Sequence, residues 1–197
     1  MDVGCGSGTF IREMNLLGWQ ADGLEPDPMA VEIAKGNGLR VNHGTIENTE
    51  MNEQYYDAIT LSHVMEHFQS PRVALRKMAK WLKPGGVLVS ISPNPIGLIS
   101  KLFLDKWYAL DAARHLVLPS PKGYRLMCEE FGLTAKCRTS MQVSFWVLRE
   151  SLSIRRTGKL AQCEARIIPS VFSILGSCAI PVFGNIGEEV ICFATKK

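Results

Sequence analysis

The chain begins with a glycine-rich turn that limits how its first elements can fold. Gly4, Gly6 and Gly8 stand at alternate positions behind Asp2. Glycine has no Cβ, so such a turn can lead sharply from a strand into a helix and let a ligand lie against the main chain. A second acidic residue, Glu25, follows a second short apolar stretch. In an open parallel sheet that acid would lie beside the turn and accept hydrogen bonds from ribose hydroxyls, which predicts a nucleotide-like ligand.

Strand and helix patterns alternate along most of the chain, which predicts a doubly wound α/β fold with a mostly parallel sheet. The ligand is then expected at the carboxyl ends of strands one, two and four. Later strands are predicted at about 20–25, 39–43, 56–61, 87–92 and 133–139, and helices at about 10–17, 28–35, 71–82 and 121–131. Residues 189–195 alternate apolar side chains and predict a final edge strand.

The glycine spacing distinguishes between two kinds of nucleotide. A dinucleotide fingerprint, G-x-G-x-x-G, would place a third glycine at position 9, where the sequence has Thr9. NAD binding is therefore disfavoured and remains as an alternative. An acid two residues before G-x-G-x-G resembles motif I of class I S-adenosyl-L-methionine (SAM)-dependent methyltransferases.

Three later segments strengthen this resemblance. Residues 56–68 resemble the family's fourth strand and its following loop, and residues 83–91 resemble its turn into the fifth strand. Residues 111–116 resemble a segment of the branch that includes ubiquinone-biosynthesis O-methyltransferases. The resemblance extends to about position 140. It implies a Rossmann-like, seven-stranded sheet with an antiparallel last strand, and methyl transfer from SAM that leaves S-adenosyl-L-homocysteine.

The resemblance also implies which residues contact the cofactor. The loop backbone would hold the methionine part, and Asp2 would orient that loop. Glu25 would bind the ribose. Relatives often have an acid at the position of Thr45, so here the adenine is left to the backbone of Ile46 and Glu47. The full implied set is Asp2, Gly4, Cys5, Gly6, Gly8, Glu25, Pro26, Thr45, Ile46, Glu47 and Ser62.

Three histidines are candidates for the catalytic chemistry. The methyl group of SAM is already activated, so the protein must mainly align the acceptor and, for a hydroxyl, help to remove its proton. His115 is the first candidate for this base, and His67 and His63 follow; a structural role stays open for each. His63, Glu66 and His67 together match H-x-x-E-H, a zinc-protease pattern. That pattern needs a long helix, whereas here it follows a strand directly, so no metal is expected.

Charge and cysteine usage restrict the partners and the compartment. The net charge is +3, and no long Lys/Arg run occurs, so nucleic acid is not an expected partner. The six cysteines form no C-x-x-C pair, which indicates reduced thiols and a cytoplasmic location. Residues 1–197 are expected to form one domain. An oxygen of a small-molecule, sugar or lipid-linked acceptor is the expected methyl acceptor.

Two questions stay open at the two ends of the region that shows the resemblance. Residues 141–187 are expected to form a poorly defined helical and apolar insertion. Its apolar run at 167–183 is broken by Pro181 and Gly176, so it should not span a membrane. A helix packed on the sheet, a flap over the acceptor, or a weak membrane-surface contact through 149–183 would each fit. Met1 stands where relatives have the interior of their first strand. A truncated SAM-binding fold without turnover, with a structural or partner-binding role, therefore remains the alternative.

Overall fold

One seven-stranded sheet organises the molecule. The structure, a computed structural model, describes residues 1–141, 144–160 and 186–197. The strands lie in the order β3-β2-β1-β4-β5-β7-β6. Strands β1 to β5 run parallel to one another, and β7 runs antiparallel to both β5 and β6. Their bounds are β1 Asp2–Val3, β2 Gly23–Glu25, β3 Val41–His43, β4 Tyr56–Ser62, β5 Leu82–Pro93, β6 Leu133–Ser140 and β7 Glu189–Lys196.

Helices connect the strands, and two of them begin at side-chain caps. The Asp27 carboxylate accepts a hydrogen bond from the Met29 amide, and the Ser120 hydroxyl accepts one from the Gly123 amide, in each case next to a proline. The helices are α1 Thr9–Leu16, α2 Pro28–Gly36, α3 Pro71–Trp81, α4 Leu98–Phe103, α5 Pro121–Glu130 and α6 Ser144–Thr157. Short 3₁₀ turns occupy Met65–His67, Leu104–Lys106 and Tyr108–Leu110.

The hydrophobic core divides into separate clusters that fix the helices to the sheet. The largest contains side chains of β4, β5, β7, α3 and α5, with Trp81 and Tyr124 almost fully buried. A second cluster joins α1 and α2 to the sheet through Ile11, Val31 and Ala34. Together with the strand order, this confirms the predicted doubly wound α/β fold with its antiparallel last strand.

The predicted position of the last strand is wrong in one respect. The sequence predicts an edge strand at 189–195, but β7 lies between β5 and β6 and pairs with both. Val190, Cys192 and Ala194 are at most 1% exposed, because α5 covers this face of the sheet. The edge of the sheet on this side is β6. The short helix α4 is an element that the sequence pattern does not predict.

Among residues 1–141, 144–160 and 186–197, no helix is long and apolar enough to cross a bilayer. The apolar run at 167–183 lies outside the described residues, as does most of the segment 149–183 for which a surface contact is expected.

Candidate functional site

A cavity of about 500 Å³ opens at the carboxyl ends of β1, β2 and β4. Ligands of open α/β sheets bind at this edge, where loops leave the strands at the switch in strand order. The predicted residues Gly4, Glu25, Pro26, Thr45, Ile46, Glu47 and His67 all line it. Its remaining lining residues are Val3, Leu24, Gly44, Val64, Phe68 and Gln69.

The glycine turn between β1 and α1 forms the floor of the cavity at Gly4, whereas the predicted residues Gly6 and Gly8 do not line it. Gly4, Gly6 and Gly8 have φ values of +71°, +53° and +83°, in the left-handed region that L residues rarely adopt. At Gly4 the space is also closed, because a Cβ there would lie 2.4 Å from Cγ2 of Val64. The Gly4 amide donates to the Leu24 carbonyl at 2.7 Å. The turn is therefore held against β2 and against the loop after β4.

Glu25 joins the two loops that border the cavity. One carboxylate oxygen accepts from the Gly6 amide at 2.8 Å, and the other accepts from the Asp27 amide at 2.9 Å. The residue is 8% exposed. Each carboxylate oxygen has a further lone pair, so Glu25 can hold both loops and still accept hydrogen bonds from a diol.

The far wall of the cavity is a loop after β3. The Thr45 amide donates to the Asn48 side-chain oxygen at 2.9 Å, and Ile46 is 2% exposed. Lys77 of α3 donates to the Glu47 carbonyl at 2.7 Å and to the Thr49 carbonyl at 3.0 Å. The loop therefore presents its backbone and an apolar side chain in a fixed position, which suits a flat heterocycle.

Some of the residues predicted for the cofactor lie away from this cavity. Asp2 accepts a hydrogen bond from the Thr60 hydroxyl at 2.6 Å and borders a second cavity, of about 550 Å³, toward the amino ends of the strands. Burial raises the pKa of the Asp2 carboxyl. The Cys5 side chain packs into the second core cluster, and burial raises the pKa of its thiol to about 12. Ser62 is exposed at the end of β4.

Two of the candidate histidines meet beside the cavity. The rings of His67 and His115 lie edge to face with centroids 4.9 Å apart. Nδ1 of His67 is 3.0 Å from the Arg114 carbonyl, and Nδ1 of His115 is 2.9 Å from the Ala109 carbonyl. A carbonyl can only accept, so in each neutral ring the proton is on Nδ1 and Nε2 keeps its lone pair. Both rings can thus accept a proton or act as a ligand through Nε2.

His63 is in a different electrostatic environment. Its Nε2 lies 3.2 Å from Glu189 of β7, and its Nδ1 lies 3.3 Å from the fully buried Glu66. The hydrogen bond with Glu189, and then that with Glu66, raise the pKa of His63 to about 9. The ring is therefore protonated at neutral pH and links β7 to the loop after β4. In that state it can donate a hydrogen bond but cannot act as a base.

One cluster in the described part of the chain has side chains arranged as metal ligands. Glu66, His67 and His115 each offer a ligand atom, and these atoms lie within 4.8 Å of one another. The sequence predicts no metal, and a solvent-accessible histidine pair can also serve as acid and base. The three residues are nevertheless those that could hold a divalent cation here.

Several of the residues that line the cavity are not predicted from the sequence. Val64, Phe68 and Gln69 belong to the loop after β4, a segment in which the pattern draws attention to the serine and the histidines. A pattern search cannot select them, because a 3₁₀ turn at Met65–His67 decides which side chains face the cavity. The signal that could have found them is their position directly after a strand that ends at the ligand edge.

Comparisons with known proteins agree with this geometry. A family model described as Methyltransferase domain matches residues 1–137. A mitochondrial ubiquinone biosynthesis O-methyltransferase of Schizosaccharomyces pombe is 27% identical over 159 residues, which is 76% of this chain and 55% of that protein. The chain thus spans about half the length of this relative.

Solved structures show the same fold. A SAM-dependent methyltransferase from Archaeoglobus fulgidus superposes with a TM-score of 0.66 at 20% identity, over 99% of this chain and 84% of that one. Phosphoethanolamine N-methyltransferase 2 of Haemonchus contortus, in complex with SAM, superposes with a TM-score of 0.64 at 16% identity, over 100% of this chain and 47% of that one. With a family model matched over most of its length, the chain belongs to the Methyltransferase domain family.

Proposed function

We propose that this chain binds SAM in the cavity at the carboxyl ends of β1, β2 and β4 and transfers its methyl group to an oxygen of an acceptor. This proposal rests on one observation: the left-handed glycine turn and the buried Glu25 border the same cavity. The turn offers backbone to the ligand, and Glu25 offers two oxygens to a ribose diol. Residues 1–197 would act as one domain, in the cytoplasm.

The contacts of SAM follow from the walls of the cavity. Ribose hydroxyls would donate to the lone pairs that remain on Glu25, with Pro26 beside them. The adenine would lie against Ile46 and meet the backbone of Glu47, which Lys77 holds in place. The methionine part would lie along the backbone of Gly4 to Gly6, which directs the sulfonium toward the loop after β4.

The acceptor would approach from the side of His67 and His115. Methyl transfer needs an in-line approach of the acceptor oxygen to the methyl carbon, and removal of its proton makes that oxygen a better nucleophile. Nε2 of His115 is the proposed proton acceptor, and its Nδ1 hydrogen bond fixes the ring orientation and the tautomer. His67 packs against this ring and would orient it. His63 is protonated at neutral pH and would contribute only a fixed positive charge.

The class of acceptor is proposed from the relatives and from the surface next to the site. The curated relatives named as ubiquinone biosynthesis O-methyltransferases support an oxygen acceptor on a small or lipid-linked molecule. Leu102, Leu104 and Leu152 are 60%, 70% and 38% exposed on α4, the turn after it, and α6. Arg155 and Arg156 stand at the end of α6. This surface would support the weak membrane contact expected for 149–183, where a lipid-linked acceptor would be met.

Turnover with labelled SAM tests the proposal and separates it from a fold that binds without reacting. The chain would be incubated with methyl-labelled SAM and a panel of hydroxylated aromatics, sugars, prenylated phenols and, for comparison, amines. We expect the label in a methyl ether formed from one of the hydroxylated acceptors. A chain that binds SAM and labels no acceptor would favour the structural or partner-binding role. Transfer to amines alone would contradict the oxygen acceptor.

A further inference from the structure

Three thiols meet on the face of the sheet that α5 covers, away from the SAM cavity. Cys137 of β6 and Cys192 of β7 are directly opposite each other in the antiparallel register. Partners in register point to the same face of a sheet. Cys128 of α5 belongs to the same core cluster as Cys192, and Cys137 packs against that cluster. All three cysteines are free thiols.

The three thiols differ in their access to solvent and in their protonation. Cys128 and Cys192 are 0% and 1% exposed, whereas Cys137 is partly exposed. The hydrogen bond from the Cys192 thiol, and then the positive charge of Arg125, lower the pKa of Cys137. Hydrogen bonds with Cys128 and Cys137, together with burial, raise the pKa of Cys192. Of the two paired thiols, the accessible Cys137 is therefore the one that ionises more readily.

We propose that Cys137 and Cys192 form a peroxide-sensitive thiol pair, in which Cys137 reacts first and Cys192 closes a cross-strand disulfide. This is a modification site separate from the methyl-transfer site, and it does not depend on the proposed function. Thiolate and access to solvent are the two properties that make a cysteine reactive toward peroxide, and only the outer thiol of this pair combines them.

The two steps balance with a peroxide as the oxidant. The Cys137 thiolate attacks one peroxide oxygen, the O–O bond breaks, and after protonation of the leaving hydroxide the products are a Cys137 sulfenic acid and water. The Cys192 sulfur then attacks the Cys137 sulfur, the S–O bond breaks, and the hydroxyl leaves with the Cys192 proton as a second water. Two thiols lose two electrons, and the peroxide gains them.

The strand geometry permits this closure without rearrangement of the sheet. Opposed residues of an antiparallel pair have Cα atoms about 4.5 to 5.5 Å apart, and disulfides span about 4.4 to 6.8 Å between Cα atoms. The next pair on the same face is Ala135 opposite Ala194, so small side chains border the thiols. Cys5 provides an internal contrast, since it is buried and its pKa is raised to about 12.

Peptide mapping after brief peroxide treatment tests the proposal on the whole folded chain. The reduced protein would be exposed to equimolar hydrogen peroxide, blocked with an alkylating agent and digested. We expect a Cys137–Cys192 linked peptide that is two hydrogens lighter than the two free peptides. In Cys192→Ala, a 1,3-diketone probe should instead trap the sulfenic acid on Cys137. Cys137→Ser should slow peroxide consumption at least tenfold, and Cys5→Ser should leave it unchanged.

Several results would overturn the proposal. A linkage of Cys192 to Cys128, or oxidation of Cys5, Cys163 or Cys178 before Cys137, would show that reactivity lies elsewhere. A sulfenic acid that persists on Cys137 while Cys192 is present would show that the pair cannot close. Equal peroxide consumption by the native chain and by Cys137→Ser would remove Cys137 from its role as the reactive thiol.

Discussion

Replacing Gly4 with alanine should disturb the cavity floor in two separable ways. The residue has a φ of +71°, and the left-handed conformation costs an L residue about 1 to 2 kcal/mol. The new Cβ would also lie 2.4 Å from Cγ2 of Val64, a contact that the loop must relieve by moving. Overpacking of this kind costs about 1 to 3 kcal/mol. Gly4→Ala should therefore lower the free energy of unfolding by about 2 to 5 kcal/mol.

Gly6→Ala is the matched control for the conformational part of this cost. Gly6 has a φ of +53°, and a Cβ at this position would have no atom within 4 Å, so only about 1 to 2 kcal/mol should be lost. Urea unfolding followed by tryptophan fluorescence measures both variants. The double variant Gly4→Ala/Val64→Ala should lose about 1 to 3 kcal/mol less than the sum of the two single variants, because removing the valine methyls relieves the contact.

Two outcomes would refute this account of the floor. If Gly4→Ala and Gly6→Ala cost the same, the close approach of the glycine turn to Val64 is not what makes Gly4 necessary. If the double variant shows strictly additive costs, the turn and the loop after β4 do not pack against each other, and the cavity is not built as described.

Three further perturbations probe stability, cofactor affinity and turnover. Burial raises the pKa of Glu188, which is 1% exposed, from 4.5 to about 7, so its contribution to stability is present below pH 4.5 and is lost as the pH rises through about 7. Between pH 4.5 and about 7, the free energy of unfolding measured in urea should fall by about 3 kcal/mol, and Glu188→Gln should abolish this fall. The same pH dependence in the variant as in the native chain would contradict this prediction. Lys77→Met frees the Glu47 and Thr49 carbonyls and should weaken SAM binding about 3- to 10-fold by calorimetry, whereas the exposed Lys80→Met should have no effect. His115→Ala should lower turnover about 10²- to 10⁴-fold with SAM affinity unchanged, and a larger loss in His63→Ala or His67→Ala would reverse the ranking of the histidines.

The sequence predicts those parts of the molecule that local chemistry determines. Three alternating glycines permit a sharp turn with positive φ, and an acid at the end of the next strand lies beside that turn in a parallel sheet. The helix starts at Pro28 and Pro121 are predictable because a proline at the first helical position acts locally. The doubly wound fold follows from the alternation of strands and helices.

The features of the fold and the site that the sequence does not predict depend mainly on contacts between residues far apart in sequence. An alternating pattern indicates that 189–195 is a strand, but only its two partners decide that it is interior. The tautomer of His67 depends on the Arg114 carbonyl, 47 residues away, and the charge of His63 depends on Glu189, 126 residues away. The six-residue helix α4 is too short to show a clear helical period.

Calorimetric titration of SAM into the purified chain tests the central claim most directly. We expect one SAM site per chain. Glu25→Ala should weaken SAM binding by about 1.5 to 3 kcal/mol, or about 10- to 150-fold, because the ribose loses its acceptors and the Gly6 amide loses its partner. Glu32→Ala, which changes an exposed acid on α2, should leave the affinity unchanged. Tight SAM binding that is insensitive to Glu25→Ala, or tight binding of NADH with none of SAM, would contradict the account.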